Sequence, residues 1–354
     1  MAETLGLDRK AGHRLIRKLP AGILPEVTAI LIAFLVGAAL LFVTGYSPLD
    51  AYVTMLKGAF GDVFGIGQTL TQATPIMFTG LSFLLASKCG LFNIGAEGQL
   101  LVGGLTAAVV GTSFHGLPAL VYLPLALAAA AVAGGFWGLI PAVLKARLGA
   151  HEVITTMMLS YVASYLTSYM VNYPFKAPGW VAQTVVVDPS AQLPSILPPT
   201  QLSASMFVAL LFAVLSYYFL DRTTMGYEIR AVGLNPRAAE NAGISVTRNI
   251  ILALTISGAV AGIGGAGEVL GVHKRFIDGF SPGYGWDGIA VALVGRLNPV
   301  GIVLAALLFG SMRSGGMVMT RVVGVPLDIV MMLQAFVILF VAAPGLIRYL
   351  LRRR

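Results

Sequence analysis

In the stretch GLFNIGAEGQ, residues 90–99, three polar side chains stand in apolar surroundings: Asn93, Glu97 and Gln99. A carboxylate placed there could exchange a proton or hold a polar cargo, or it could tie down irregular backbone. In a helix starting near Leu91, Asn93 and Glu97 are four apart and share a face. Glu97 would then lie roughly 9 Å along the axis from Leu91. Two roles stay open for it: lining a pathway, or being satisfied by backbone N–H groups of a glycine-rich bend. Glu268 and Asp287 fall near the outer ends of two apolar stretches. Either could line the same pathway, and either could pair with Lys274 or Arg275. His151 and Glu152 open another stretch, where Glu152 in the first turn suits the helix dipole as an ordinary cap.

Signatures of harder chemistry are absent. Histidines 13, 115, 151 and 273 and the single Cys89 are scattered over different segments and form no metal set at recognisable spacing. The sequence has no HExxH, no CxxC and no GxSxG. It also lacks GxxxxGK[ST], so no P-loop holds ATP on this chain and no cofactor is expected. One cysteine excludes an intramolecular disulfide, and Cys89 beside Lys88 reads as a small packing residue.

The elements that must position these groups follow from composition. The chain is 57% hydrophobic and 11% charged, with mean hydropathy +0.86. A soluble domain is about 45–50% apolar and about 25% charged. The apolar runs are continuous rather than alternating, which excludes a β-barrel and indicates an all-α polytopic membrane bundle. Ten runs approach the roughly 20 residues a spanning helix needs: 24–44, 65–86, 91–112, 119–143, 152–172, 202–220, 250–270, 285–295, 299–319 and 327–347. The eighth is short enough to be a half-helix. With the N-terminus inside, the inner segments hold 17 of the 23 Lys and Arg residues, so the charge bias favours ten crossings with both termini cytoplasmic. The net charge of +8 is spread in short clusters between apolar spans and signals the membrane, not nucleic acid. The basic start, with Arg9, Lys10, Arg14, Arg17 and Lys18, precedes a run too long for a cleaved signal peptide.

Between the first two runs, DAYVTMLKGAF places Tyr52, Met55, Leu56 and Phe60 on one face, which predicts a short interfacial helix. Six prolines exclude a long helix from the outer loop 173–201, which also carries Trp180. That loop either meets an extracytoplasmic partner or caps the bundle. Five GxxxG pairs, including Gly134/Gly138 and Gly258/Gly262, occur about as often as chance allows and carry no specific signal. Spans two to five start outside and spans seven to ten start inside. Each half contains a glycine-rich turn, GLFNIGAEGQ and FSPGYGWDG, so the topology fits inverted-repeat halves.

One polar island interrupts the apolar sequence. DRTTMGYEIRAVGLNPRAAENAGISVTR, residues 221–248, carries Asp221, Arg222, Glu228, Arg230, Arg237, Glu240 and Arg248. A connector this long and charged is either a solvated loop or a docking element for a cytoplasmic partner. Asn235-Pro236 starts a helix, with proline in its first turn, and Gly243 ends it.

Four segments together carry a family resemblance: GLFNIGAEGQLLVGG (90–104), HEVITTMMLSY (151–161), MGYEIRAVGLNPRAAENAGI (225–244) and GWDGIAVALVGRLNPVG (285–301). The chain resembles the membrane permeases of ABC importers, in the sugar and branched-chain amino-acid permease family. Within it, the chain is most similar to the longer permease of bacterial nucleoside importers, whose receptor is a lipoprotein of the basic-membrane-protein type. At His151 the sequence departs from the Asn expected there. The resemblance implies a type II ABC importer fold in the bacterial inner membrane. It implies a cytoplasmic ATPase subunit carrying the ATP and Mg, a second and non-identical permease, and an extracytoplasmic substrate-binding protein. It assigns the polar island the coupling helix, with Gly226, Glu228, Arg230, Ala231, Gly233, Asn235, Pro236, Ala239 and Gly243 on that element. Asn93, Glu97, Gln99, Glu268 and Asp287 remain the candidate pore-lining residues.

The chain is then expected to comprise a basic N-terminus (1–23), a permease domain (24–347) and a basic tail (348–354). The permease domain includes the loop 173–201 and the coupling loop 221–249. The expected function is import of nucleosides driven by a separate ATPase. Cargo of another kind, a sugar or riboflavin, fits the same architecture. An ion-coupled carrier using Glu97 or Asp287 is the alternative of another class, and the 221–248 island argues against it. An intramembrane enzyme has no catalytic constellation behind it.

Overall fold

The computed structural model describes residues 24–342 except His115, so the basic N-terminus and tail lie outside the described residues. Those residues form thirteen α-helices and no strand, with two isolated bridges, Gln183 to Ile277 and Ser195 to Ser203. By internal packing the chain divides into a smaller unit, residues 24–53 with 320–342, and a larger one, residues 54–319.

In the smaller unit α1 (Leu24–Val43) packs against the last helix, α13 (Leu327–Ala342). The Tyr52 hydroxyl donates to Phe34 O at 2.7 Å, and the two rings meet edge-on at 5.4 Å. Tyr52 belongs to α2 (Pro48–Phe60), the short helix expected between the first two runs.

The larger unit contains α3 (Val63–Ser87), α4 (Ala96–Ser113), α5 (Ala119–Leu148), α6 (Glu152–Asn172) and α7 (Ser205–Arg222). Then come two short helices, α8 (Thr224–Leu234) and α9 (Pro236–Asn241). The bundle closes with α10 (Val246–Ala266), continued as a π-helix over Gly267–His273, then α11 (Tyr284–Val294) and α12 (Pro299–Val323). Helix α10 is central and packs on α3, α4 and α5.

Its crossing with α5 explains two motifs that chance alone seemed to account for. A Cβ on Gly258 would strike Gly134 O, and one on Gly138 would meet Leu254 O at 2.6 Å. Gly134/Gly138 and Gly258/Gly262 are therefore the contact itself, where small residues let two backbones touch.

All ten expected runs are occupied by helices, but they are not alike. Five are long and apolar enough to cross a membrane: α3, α5, α7, α10 with its π continuation, and α12. Shorter apolar helices cover Thr28–Val43, Tyr284–Val294 and Leu327–Val341. Helices α4 and α6 fall in neither group, because α4 opens on Glu97 and Gln99 and α6 is rich in Ser, Thr and Tyr. The proline-rich loop contains only a single 3₁₀ turn, Pro189–Ala191.

Candidate functional site

The sequence-based expectation that α4 starts near Leu91 is corrected: the helix begins at Ala96, and 91–95 is a bend. Asn93 is thus off the helix and does not share a helical face with Glu97. It is fully buried, and its Oδ1 accepts from Gly95 N at 2.9 Å. Its Nδ2 donates to Gln99 Oε1 at 2.9 Å and to Ser257 Oγ at 2.8 Å. Ser257 in turn donates to Ser82 O at 2.7 Å, and Ile94 N donates to Thr156 Oγ1 at 3.2 Å. Non-helical backbone away from water needs protein partners, and these side chains supply them. Asn93 and Gln99 therefore stitch α3, α4 and α10 together from inside the bundle.

Glu97 faces elsewhere. Its Oε2 accepts from Gly285 N at 2.6 Å. Gly285 lies in the first turn of α11, so a carboxylate from one helix caps the N-terminus of another, where the dipole favours negative charge. The contact is so close that a Cβ on Gly285 would strike the Glu97 backbone nitrogen. The two glycine-rich turns named from the sequence, 90–99 and 280–288, thus meet through their helix starts.

The rest of the α11 start is polar as well. Asp287 pairs with Arg313 of α12 at 2.8 Å, not with Lys274 or Arg275. Arg313 also donates to Pro282 O at 3.1 Å and lies over the Tyr284 ring, 5.3 Å from its centroid. The Tyr284 hydroxyl donates to Gln72 at 3.1 Å. Glu268, in the π-helix, is buried and stands 3.8 Å from His273, beyond hydrogen-bond reach. Lys274 is taken up by carbonyls, donating to Leu193 O at 2.8 Å and Leu270 O at 3.2 Å, and burial pulls its ammonium below the usual lysine range. Glu152 forms an ion pair with Lys145 at 2.7 Å, which ties the end of α5 to the start of α6.

Of the five pore candidates, Glu97 lines a cavity of about 260 Å³ whose walls include Tyr161, Ser164, Asp278 and Trp286. Asn93 and Gln99 sit away from it, inside the bundle. Among the described residues no cluster of three or more His, Cys, Asp or Glu side chains could hold a metal ion.

The polar island folds as a bracket of two helices, not one. Thr223 caps α8, accepting from Gly226 N at 3.0 Å. Asn235 caps α9, accepting from Ala238 N at 3.1 Å, with Pro236 next. Gly243 follows the end of α9 at φ +82°, a left-handed turn that glycine takes without strain. The start at Asn235-Pro236 and the stop at Gly243 are as read from the sequence. Helix α8 was hidden, because its apolar face is little more than Ile229 and Val232.

That face is driven into the bundle. Ile229, Val232 and Ala239 share a buried cluster with Ala86, Cys89, Leu91, Ala142, Ala253 and Leu254. A Cβ on Gly233 would strike Lys88 O, so the bracket rests directly on the α3–α4 turn. Glu228 accepts from Asn249 at 3.1 Å, and Arg230 pairs with Asp221 at 3.0 Å. Those two charges brace the bracket to its own chain. The outward surface is instead Leu234 (88% exposed), Asn235, Pro236, Arg237 and Glu240 through Gly243.

A multi-helix bundle with helix starts meeting inside it, and five helices long and apolar enough to cross a membrane, is the architecture of a polytopic membrane protein. Residues 65–342 match the family described as branched-chain amino acid transport system / permease component, and the chain belongs to it. It is a transport permease, not an enzyme. It is 42% identical to the guanosine ABC transporter permease protein NupP of Bacillus subtilis, over 95% of this chain and 97% of that one. It is 37% identical to the nucleoside ABC transporter permease protein NupB of Lactococcus lactis, over 93% of each chain. The glucose ABC transporter permease protein TsgB13 of Haloferax volcanii is also 37% identical, over 89% of this chain and 85% of its own. No solved structure matches.

Proposed function

We propose that this chain is one permease of an ATP-driven importer for nucleosides in a bacterial inner membrane. The observation that carries the reading is identity of 37–42% with guanosine and nucleoside permeases along nearly the whole length. In this reading ten helices cross the membrane as two inverted halves of a type II importer, with both termini cytoplasmic. The meeting of the α4 and α11 starts supports that topology, since one approaches from each side of the membrane.

The bracket α8–α9 is the coupling element. An ATPase subunit grips the exposed tip around Asn235–Arg237, and the buried side formed by Ile229, Val232 and Gly233 passes its motion to α3 and α10 as a rigid body. ATP and Mg stay on that partner. A second, non-identical permease completes the pathway, and a binding protein delivers cargo to the outer loop, where Trp180 is 99% exposed.

A sugar is the second reading, favoured by the similarity to the glucose permease. Uptake by the reconstituted importer separates the two. Labelled guanosine should accumulate with ATP and an intact ATPase, and labelled glucose should not. Guanosine uptake that persists on a proton gradient with an ATPase-dead partner would refute the coupling role.

A further inference from the structure

Helix α6 leaves most of its surface uncovered. Its packed side is a narrow row, Thr156, Ser160, Ala163, Thr167 and Val171, and it lies against α4. On the open side stand Tyr161, Tyr165, Tyr169 and Tyr173, with exposures of 50, 77, 56 and 71%. Steps of four keep them on one flank over about 18 Å. The Tyr169 and Tyr173 rings are 5.0 Å apart. None of the four hydroxyls has a hydrogen-bond partner among the described residues.

Hydroxyls turned into hydrocarbon without partners are costly. Tyrosine is common in membranes only in the belts at the two interfaces. Four of them over about 18 Å reach well beyond one belt of a bilayer core about 30 Å thick. The flank is therefore ill-suited to lipid alone, with the exposed Ile154, Met158, Val162 and Leu166 beside the tyrosines. At its lower end it is continuous with the cavity that Tyr161 shares with Glu97, Ser164, Asp278 and Trp286. Asp278 is held in place by Ser168 at 2.7 Å and Asn172 at 3.2 Å.

We infer that the tyrosine flank and this cavity form one wall of the substrate path and take the flat heterocycle of a nucleoside. The inference rests on the nucleoside reading above. Aromatic faces stack any base, because every base has a π-face. Glu97 and Asp278 accept from the sugar hydroxyls. Stacking reads no base edge, which suits a passage that must release its cargo. The uncovered flank is half of a path, and the second permease supplies the facing wall.

The test uses the assembled importer in proteoliposomes with labelled guanosine. Tyr165→Leu and Tyr169→Leu should each lower uptake at limiting guanosine about tenfold, while the Phe variants stay within about twofold, as loss of stacking predicts. Tyr165→Cys should react with a membrane-impermeant thiol reagent, more slowly when guanosine is in excess; the buried native Cys89 gives a low blank. Uptake unchanged in the Leu variants, equal losses in Phe and Leu, or an unreactive Tyr165→Cys would each overturn the inference. A wild-type importer that takes up glucose but no guanosine would instead overturn the function on which it rests.

Discussion

The backbone amide of Gly285 donates to Glu97 Oε2 at 2.6 Å, which joins the starts of two helices from different halves of the sequence. The same carboxylate borders the cavity, so it both caps α11 and faces the space a cargo would enter.

Replacement separates those roles. Glu97→Gln keeps an acceptor for Gly285 N and removes the charge, so the purified chain should melt close to wild type while nucleoside uptake falls. Glu97→Ala removes the cap too and should cost about 1–2 kcal/mol, read as a lower melting temperature in detergent. Equal melting of both variants would contradict the capping role.

At the α8–α9 bracket, proposed as the coupling element, the exposed and buried sides should behave differently. Arg237→Glu changes only the tip, so the chain should insert and melt normally, with ATPase activity in the complex no longer driving uptake. Charge reversal at Glu228 or Arg230 should also uncouple transport, but by loosening the bracket. Reversing the pair, Asp221→Arg with Arg230→Asp, should recover part of the uptake lost in Arg230→Asp. Exposed pairs are worth about 0.2–1 kcal/mol, so the recovery should be partial. Full coupled uptake in every one of these variants would remove the bracket from the mechanism.

Gly233 should tolerate no side chain. A methyl group there meets Lys88 O and must push α8 off the α3–α4 turn. Gly233→Ala should cost about 1–3 kcal/mol by overpacking. The loss should show as faster proteolysis of the 221–248 segment in the detergent-purified chain.

Cys89 offers a pH test of the same contact. Burial pushes its thiol up to about 12. A free thiol ionises near 8.5, so between those values the unfolded chain loses a proton that the folded chain keeps. Stability should therefore be intact below pH 8.5 and decline as pH rises toward 12, less steeply in Cys89→Ala. Thiol labelling at pH 8 should stay slow until denaturant opens the bracket.

Trp180→Ala should leave insertion and basal ATP hydrolysis unchanged and lower receptor-dependent uptake. Direct binding of the substrate-binding protein to the reconstituted permease measures the loss. Unchanged binding would leave the loop as a cap on the bundle.

Several elements were legible because their signals are local. All ten apolar runs hold a helix, with described ends up to five residues from those read, the shared face of Tyr52, Met55, Leu56 and Phe60 in 50–60 gave α2, and Asn235-Pro236 gave α9. What escaped depends on distant partners. Asn93 leaves the helix because Ser257, far along the chain, accepts from its amide. Asp287 is paired by Arg313 rather than by the nearer Lys274 or Arg275. The meaning of Gly134 and Gly258 exists only where α5 and α10 cross. The tyrosines of α6 were visible at four-residue spacing, but only burial shows which flank of the helix they occupy. Helix α8 escaped because its buried row, Gly226, Ile229 and Val232, holds only two apolar side chains larger than glycine.

The bracket ends where α10 begins, and α10 is the helix that touches α3, α4 and α5. Its other side is packed into the bundle through Ile229 and Val232. If a partner grips Arg237 as proposed, the buried contacts of Ile229 and Val232 put the middle of the bundle within direct reach of that grip.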